Sequence, residues 1–90
     1  MRTVSIIVTG KVQGVFFRQS TREKARQLDI NGSVENLRDG TVHIIACGEE
    51  ATLNEFIEWC KTGPPRSIVE NLHIEPIEGN LLFSGFHIKR

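Results

Sequence analysis

Ninety residues, 39% of them apolar, suit one compact domain over residues 1–90 that buries roughly 60–70% of its extended-chain surface, and they argue against disorder. No apolar run approaches the ~20 residues of a membrane span, and no signal-type hydrophobic region follows Met1-Arg2, so a cytoplasmic protein is expected. The 11 basic and 11 acidic residues cancel, which gives little support for tracking a nucleic-acid backbone, but they are unevenly placed: residues 1–38 hold seven Lys/Arg against three Asp/Glu, a net of +4, and residues 39–90 carry −4.

The first strand runs from about Val4 to Thr9, with Val4, Ile6 and Val8 on one face. Gly10-Lys11-Val12-Gln13-Gly14-Val15-Phe16-Phe17-Arg18 follows, two glycines bracketing a turn that delivers an arginine beside a helix start. Such a junction either connects strand to helix with a solvated arginine or aims backbone N–H groups and a guanidinium at one anion. No Walker pattern is present. The next helix is expected from Ser20 to Leu28, opened by a Ser20/Glu23 capping box and carrying Thr21, Ala25 and Leu28 as a narrow stripe. Asn31-Gly32 should end it or turn the chain after it.

Val34 to Arg38 reads as a second strand, and Asp39-Gly40 as a hairpin into Thr41 to Cys47. From Glu49 to Thr62 the period becomes helical, with Leu53, Phe56, Ile57 and Cys60 on one face, until Gly63-Pro64-Pro65 stops it. Val69 to Ile77 and Leu81 to Ile88 complete the chain as extended segments. The order β-α-β-β-α-β, plus a short terminal strand, gives an α+β class: a ferredoxin-like two-layer sandwich with an antiparallel sheet, both helices on one face and strands one and three central. Cys47 and Cys60 form no C-x-x-C and read as reduced core residues. His43, His73 and His87 show no paired ligand spacing, so no metal site and no cofactor are expected.

In this topology the loop after the first strand lies beside the hairpin end of the second, so Arg18 and Asn36 can converge. An arginine grips planar oxyanions through two donors, and an amide both donates and accepts. Taken alone, Asn36 reads first as a strand-end residue capping its own backbone; its pairing with the glycine loop changes that balance.

Val8-Thr9-Gly10-Lys11-Val12-Gln13-Gly14-Val15-Phe16-Phe17-Arg18 closely resembles the first signature of the acylphosphatase family. Gly32-Ser33-Val34-Glu35-Asn36-Leu37-Arg38-Asp39-Gly40-Thr41-Val42, with Gly48 beyond, is similar to the second. The resemblance spans essentially the whole chain and implies a ferredoxin-like, metal-free hydrolase that splits the carboxyl–phosphate bond of small acyl phosphates into a carboxylate and inorganic phosphate. It implies that Arg18 binds the phosphoryl group and that Asn36 orients the attacking water. The backbone of Gly14, Val15, Phe16, Phe17 and Arg18 would supply donors. Two positions depart from the pattern: Ser33, commonly aromatic, and Glu35, commonly basic or neutral. Both fall on the strand face opposite Val34 and Asn36.

Two other functions fit parts of the chain. An RNA-binding module shares the strand–helix order, but Thr41 to Cys47 lacks the aromatics that stack bases. A noncatalytic acyl-phosphate binding module would share the site and lack turnover. The expected partner is a small acyl phosphate, with no nucleic acid, no membrane and a monomeric state.

Overall fold

Alternation along the first strand places Val4, Ile6 and Val8 in full burial while Ser5 and Ile7 are only partly covered, which sets one sheet face as the core side. The computed structural model describes residues 1–79 and 83–89. Its elements are β1 (Arg2–Lys11), α1 (Phe17–Gln27), β2 (Asn31–Asn36), β3 (Val42–Gly48), α2 (Glu50–Cys60), β4 (Ile68–Pro76) and β5 (Phe86–Ile88).

The sheet order is β4-β1-β3-β2-β5, with the first and third strands central as the two crossovers require. Antiparallel register pairs Val4 with Ala46, Ile6 with Ile44 and Val8 with Val42, so the buried residues of β1 and β3 stand side by side beneath the helices. One expectation is corrected here: the sheet is mixed, because β5 pairs parallel with β2. β4 is antiparallel to β1 and therefore to β2, so a chain that reverses once after β4 and lands on the free edge of β2 must run alongside it in the same sense.

Helix α1 starts three residues earlier than the capping-box pattern suggests. Phe16 occupies its N-cap position in the left-handed region (φ 59°) with no side-chain cap, and Ser20 lies within the helix, its N–H donating to the Phe16 carbonyl at 3.0 Å. The burial of Phe17, whose ring lies 6.1 Å from that of Trp59, draws the first turn into the core and outweighs the local capping signal. Phe17, Thr21 and Ala25 form the buried stripe, and the Thr21 hydroxyl donates to the Phe17 carbonyl at 2.7 Å.

The helix ends in a Schellman arrangement rather than at Asn31-Gly32. Asp29 takes the left-handed conformation (φ 54°), and the Ile30 N–H reaches the Ala25 carbonyl at 2.8 Å. Gly32 instead lies inside β2, where φ is 144° and a Cβ would strike the Ile45 carbonyl oxygen. Strand β2 thus begins at Asn31 and closes at Asn36. Leu37 to Thr41 form the hairpin loop, held by the Leu37 N–H on the Thr41 carbonyl at 2.9 Å and by Asp39, whose carboxylate accepts from the Thr41 N–H and hydroxyl.

Leu53, Phe56 and Cys60 bury the inner side of α2, with Ile57 partly covered. Gly63 (φ 67°) closes the helix by donating to the Trp59 carbonyl at 2.9 Å. Ser33, expected on the outer face, is nevertheless buried, because Ile45 and His87 flank it in register on either side and a serine is too short to rise between them. The last extended segment is described as β5 alone; Leu81 and Leu82 lie outside the described residues. Phe86 of β5 is fully buried against Phe56, the ring centroids 6.1 Å apart and edge-on.

Candidate active site

The register of β1 against β4 slips between Thr9 and Gly10, which face Asn71 and Val69, so β4 bulges by one residue, Glu70, opposite the end of β1. Gly10 enables it: φ is 133°, and a Cβ there would collide with the Ile68 carbonyl oxygen of the neighbouring strand. Its role is therefore interstrand approach, rather than the sharp exit from the strand that a glycine at the end of an apolar run suggests.

Beyond Lys11 the loop alternates between anchored and exposed residues. Val12 and Phe17 are buried and Val15 packs partly against the core, whereas Gly14 (φ 74°) is open and Phe16 is 74% exposed. Gln13 fixes the loop laterally. Its Nε2 donates to the carbonyls of Leu37 at 2.8 Å and Thr41 at 2.9 Å, tying the loop to the hairpin that follows Asn36. Among the described residues, none of the backbone N–H groups from Gly14 to Arg18 donates to a protein acceptor. Five consecutive donors at a helix start are thus uncommitted, beside the positive end of the helix dipole.

A cavity of about 420 Å³ opens at this junction. Gly14, Phe16 and Phe17 line it from the loop, Arg18, Gln19 and Arg22 from α1, Asn36 from the end of β2, and Val12 and Ile88 from beneath and beside. Arg18 and Asn36 therefore share one cavity although they belong to different elements. Val15 does not line it and packs partly against the core instead. Among the described residues, the buried Oδ1 of Asn36 accepts no hydrogen bond and the buried Nε of Arg22 donates none. An unsatisfied buried polar atom costs about 1–3 kcal/mol, so both atoms are poised for a partner that the described residues do not supply.

No carboxylate lines the cavity, and neither Arg18 nor Arg22 enters an ion pair among the described residues. Glu35 points to the other sheet face and lies 3.5 Å from His43, whose ring also bonds the Ser5 hydroxyl at 2.9 Å. Its charge is directed away from the cavity. In the adjoining hairpin, hydrogen bonds from the Thr41 hydroxyl and N–H hold the Asp39 carboxyl below its usual range. Among the described residues, no three His, Cys, Asp or Glu side chains come together as a metal site.

Sequence reasoning missed Gln13, Gln19, Arg22 and Ile88. Arg22 follows Arg18 at i+4 and so shares its helix face, a spacing that was available in the sequence. Gln13 is the one polar side chain between Val12 and Gly14, but its partners are two hairpin carbonyls, which no sequence pattern names.

The architecture defines an α+β sandwich with a cationic cavity at its first strand–helix junction, lined by no carboxylate among the described residues. The sequence profile of the acylphosphatase family matches residues 4–88. An acylphosphatase from Rubrobacter xylanophilus is 41% identical over 88 residues, covering 98% of this chain and 80% of that one. The crystal structure of an acylphosphatase from Bacillus subtilis superposes with a TM-score of 0.96 at 36% identity, covering both chains fully. An acylphosphatase structure from Coxiella burnetii gives 0.92 at 41% identity, covering 98% of this chain and 92% of that one. The chain belongs to the acylphosphatase family, hydrolases acting on acid anhydrides.

Proposed function

We propose that the cavity hydrolyses small acyl phosphates without a metal, with Arg18 and the N–H groups of Gly14, Val15, Phe16, Phe17 and Arg18 holding the phosphoryl oxygens and Asn36 orienting water. The observation that carries this reading is that one opening is lined by Gly14, Phe16, Phe17 and Arg18, whose backbone N–H groups are uncommitted, by an Arg18 guanidinium with no ion-pair partner among the described residues, and by Asn36, whose buried Oδ1 has no partner among them.

In the step itself the water oxygen forms a new P–O bond while the bond from phosphorus to the bridging oxygen breaks. That electron pair leaves on the carboxylate, and the phosphoryl group departs as dihydrogen phosphate carrying both water hydrogens. A carboxylate is a good leaving group, so no strong general acid is required. One water proton passes to a phosphoryl oxygen of the substrate itself, so no protein base is required either. The protein's contribution is positioning and charge stabilisation: Arg18 and the amides face the equatorial oxygens, and Asn36 Oδ1 accepts from the water. Each preorganised donor of this kind is worth ~3 kcal/mol in the transition state.

Residues 1–90 act in this reading as one domain and as a monomer, the core closing within a single chain. Two unpaired cysteines favour the cytoplasm, a reducing compartment. Balanced charge and a β3 without aromatics favour a small-molecule substrate over nucleic acid.

The test is hydrolysis of acetyl, benzoyl and carbamoyl phosphate in chelator, by the unsubstituted protein and by Arg18→Ala. Turnover that falls at least ~10²-fold in a folded Arg18→Ala supports the reading. Phosphate binding without turnover would make the domain a noncatalytic binder, and near-parental activity in Arg18→Ala would remove Arg18 from the mechanism.

A further inference from the structure

A phosphoryl group held by the loop amides and Arg18 leaves one cation of the cavity unused. Arg22 lies one turn further along α1, its Cα about 6 Å along the axis from that of Arg18 and on the same helix face. It lines the same opening, is half-buried, and has a buried Nε with no hydrogen-bond partner among the described residues. Its neighbour Glu23 is exposed and is not among its partners; no ion pair reaches Arg22 among the described residues.

The volume leads in the same direction. About 420 Å³ falls in the range of pockets that enclose small organic molecules, more than a phosphoryl group fills. The remaining lining is mixed. Phe16 and Ile88 offer apolar surface suited to the body of an acyl group, while Gln19 and Arg22 offer polar contacts, and nothing anionic opposes them among the described residues. A guanidinium in such a place presents a planar fork that fits a carboxylate or a second phosphate.

We infer that Arg22 receives a second anionic group on the acyl part, so that the preferred substrates are acyl phosphates whose acyl moiety itself carries a carboxylate or phosphate. The inference rests on the acyl-phosphate reading of the cavity and adds a specificity-determining residue to it. Arg18 and Arg22 then divide the work: the first meets the reacting phosphoryl group, the second the far end of the molecule. The distinction matters for mutants, because a residue that only binds the far end changes discrimination between substrates, whereas one that stabilises the reacting centre slows them all.

The experiment compares benzoyl phosphate with 3- and 4-carboxybenzoyl phosphate, rigid probes that differ only in the second anion. It measures kcat/KM at low ionic strength for the unsubstituted protein, Arg22→Gln and Arg22→Lys. Arg22→Gln should lower the carboxybenzoyl-to-benzoyl ratio at least fivefold for one of the two isomers, and Arg22→Lys should restore part of it. A ratio changed less than fivefold for both isomers overturns the inference, even when benzoyl phosphate is hydrolysed normally. Failure of the unsubstituted protein to hydrolyse any of the three defeats the acyl-phosphate reading as well. A measurement on the unsubstituted protein avoids any folding defect: 3- or 4-carboxyphenylphosphonate should inhibit at least fivefold more tightly than phenylphosphonate, and equal inhibition by all three contradicts the role given to Arg22.

Discussion

Replacing Gln13 by alanine removes the only side chain described as bonding the cavity loop to the β2–β3 hairpin. Two hydrogen bonds are lost, to the Leu37 carbonyl at 2.8 Å and the Thr41 carbonyl at 2.9 Å, in a partly buried setting. At roughly 1 kcal/mol net per bond the cost is about 2 kcal/mol. Both carbonyls keep a backbone partner, since Gly40 donates to Leu37 and Leu37 to Thr41, so neither is orphaned and the penalty stays near that sum. For a 90-residue domain, unfolding entropy of about 0.2 kcal/mol per kelvin turns this into a Tm lowered by about 10 °C. Thermal unfolding followed by circular dichroism measures it. Gln13→Glu sharpens the test: it keeps the size but sets a carboxylate against two carbonyl oxygens, so it should be at least as unstable as Gln13→Ala. A Gln13→Glu protein as stable as the parent would refute the amide clamp.

Gly32→Ala should destabilise the fold by several kcal/mol and Gly40→Ala by about 1 kcal/mol, because only at Gly32 does a Cβ run into the Ile45 backbone while Gly40 faces open space; chemical denaturation of both checks the order. Burial pushes the Cys60 thiol up to about 12 from an ordinary value of 9.0, so below about pH 8 it is neutral in both folded and unfolded chains and adds no pH dependence. As the pH rises past about 8 only the unfolded chain ionises it, and stability should fall by about 1.4 kcal/mol between pH 8 and pH 10 relative to Cys60→Ala; parallel urea curves for the two proteins at pH 8 and pH 10 would contradict this. Exhaustive chelation should leave acyl-phosphate turnover unchanged, and the rate between about pH 5 and 8 should lack a histidine limb, since no histidine is among the described residues that line the cavity. Activity lost to chelator and restored by one divalent ion would overturn that mechanism.

What could be read from the sequence was what depends on local patterns. Alternation marked Val4, Ile6 and Val8 as the core face of β1, and Asp39-Gly40 marked the hairpin that brings Asn36 beside the loop. From those two elements the crossover rule placed Arg18 and Asn36 at one end of the sheet. The misreadings all concern positions decided by distant partners. Ser20 and Glu23 have the spacing of a capping box, but Phe17 packs on Trp59 and begins the helix a turn earlier. Asn31-Gly32 has the composition of a helix stop, yet that glycine is required by the Ile45 carbonyl across the strand pair, and Asp29 ends the helix. The parallel β2–β5 pairing follows from the edge on which the last strand lands, which no periodicity within that strand encodes.

The division of labour between clamp and water is the centre of the account, and one paired measurement reaches it. Inorganic phosphate affinity by titration calorimetry and kcat for benzoyl phosphate should be determined for the unsubstituted protein, Arg18→Ala and Asn36→Ala. Arg18→Ala should lose phosphate binding and turnover together. Asn36→Ala should bind phosphate within about threefold of the parent while its kcat falls at least ~10²-fold, because its buried Oδ1 is assigned to water and not to the phosphoryl group. Equal losses of binding and turnover in Asn36→Ala would make the asparagine part of the clamp and contradict the mechanism.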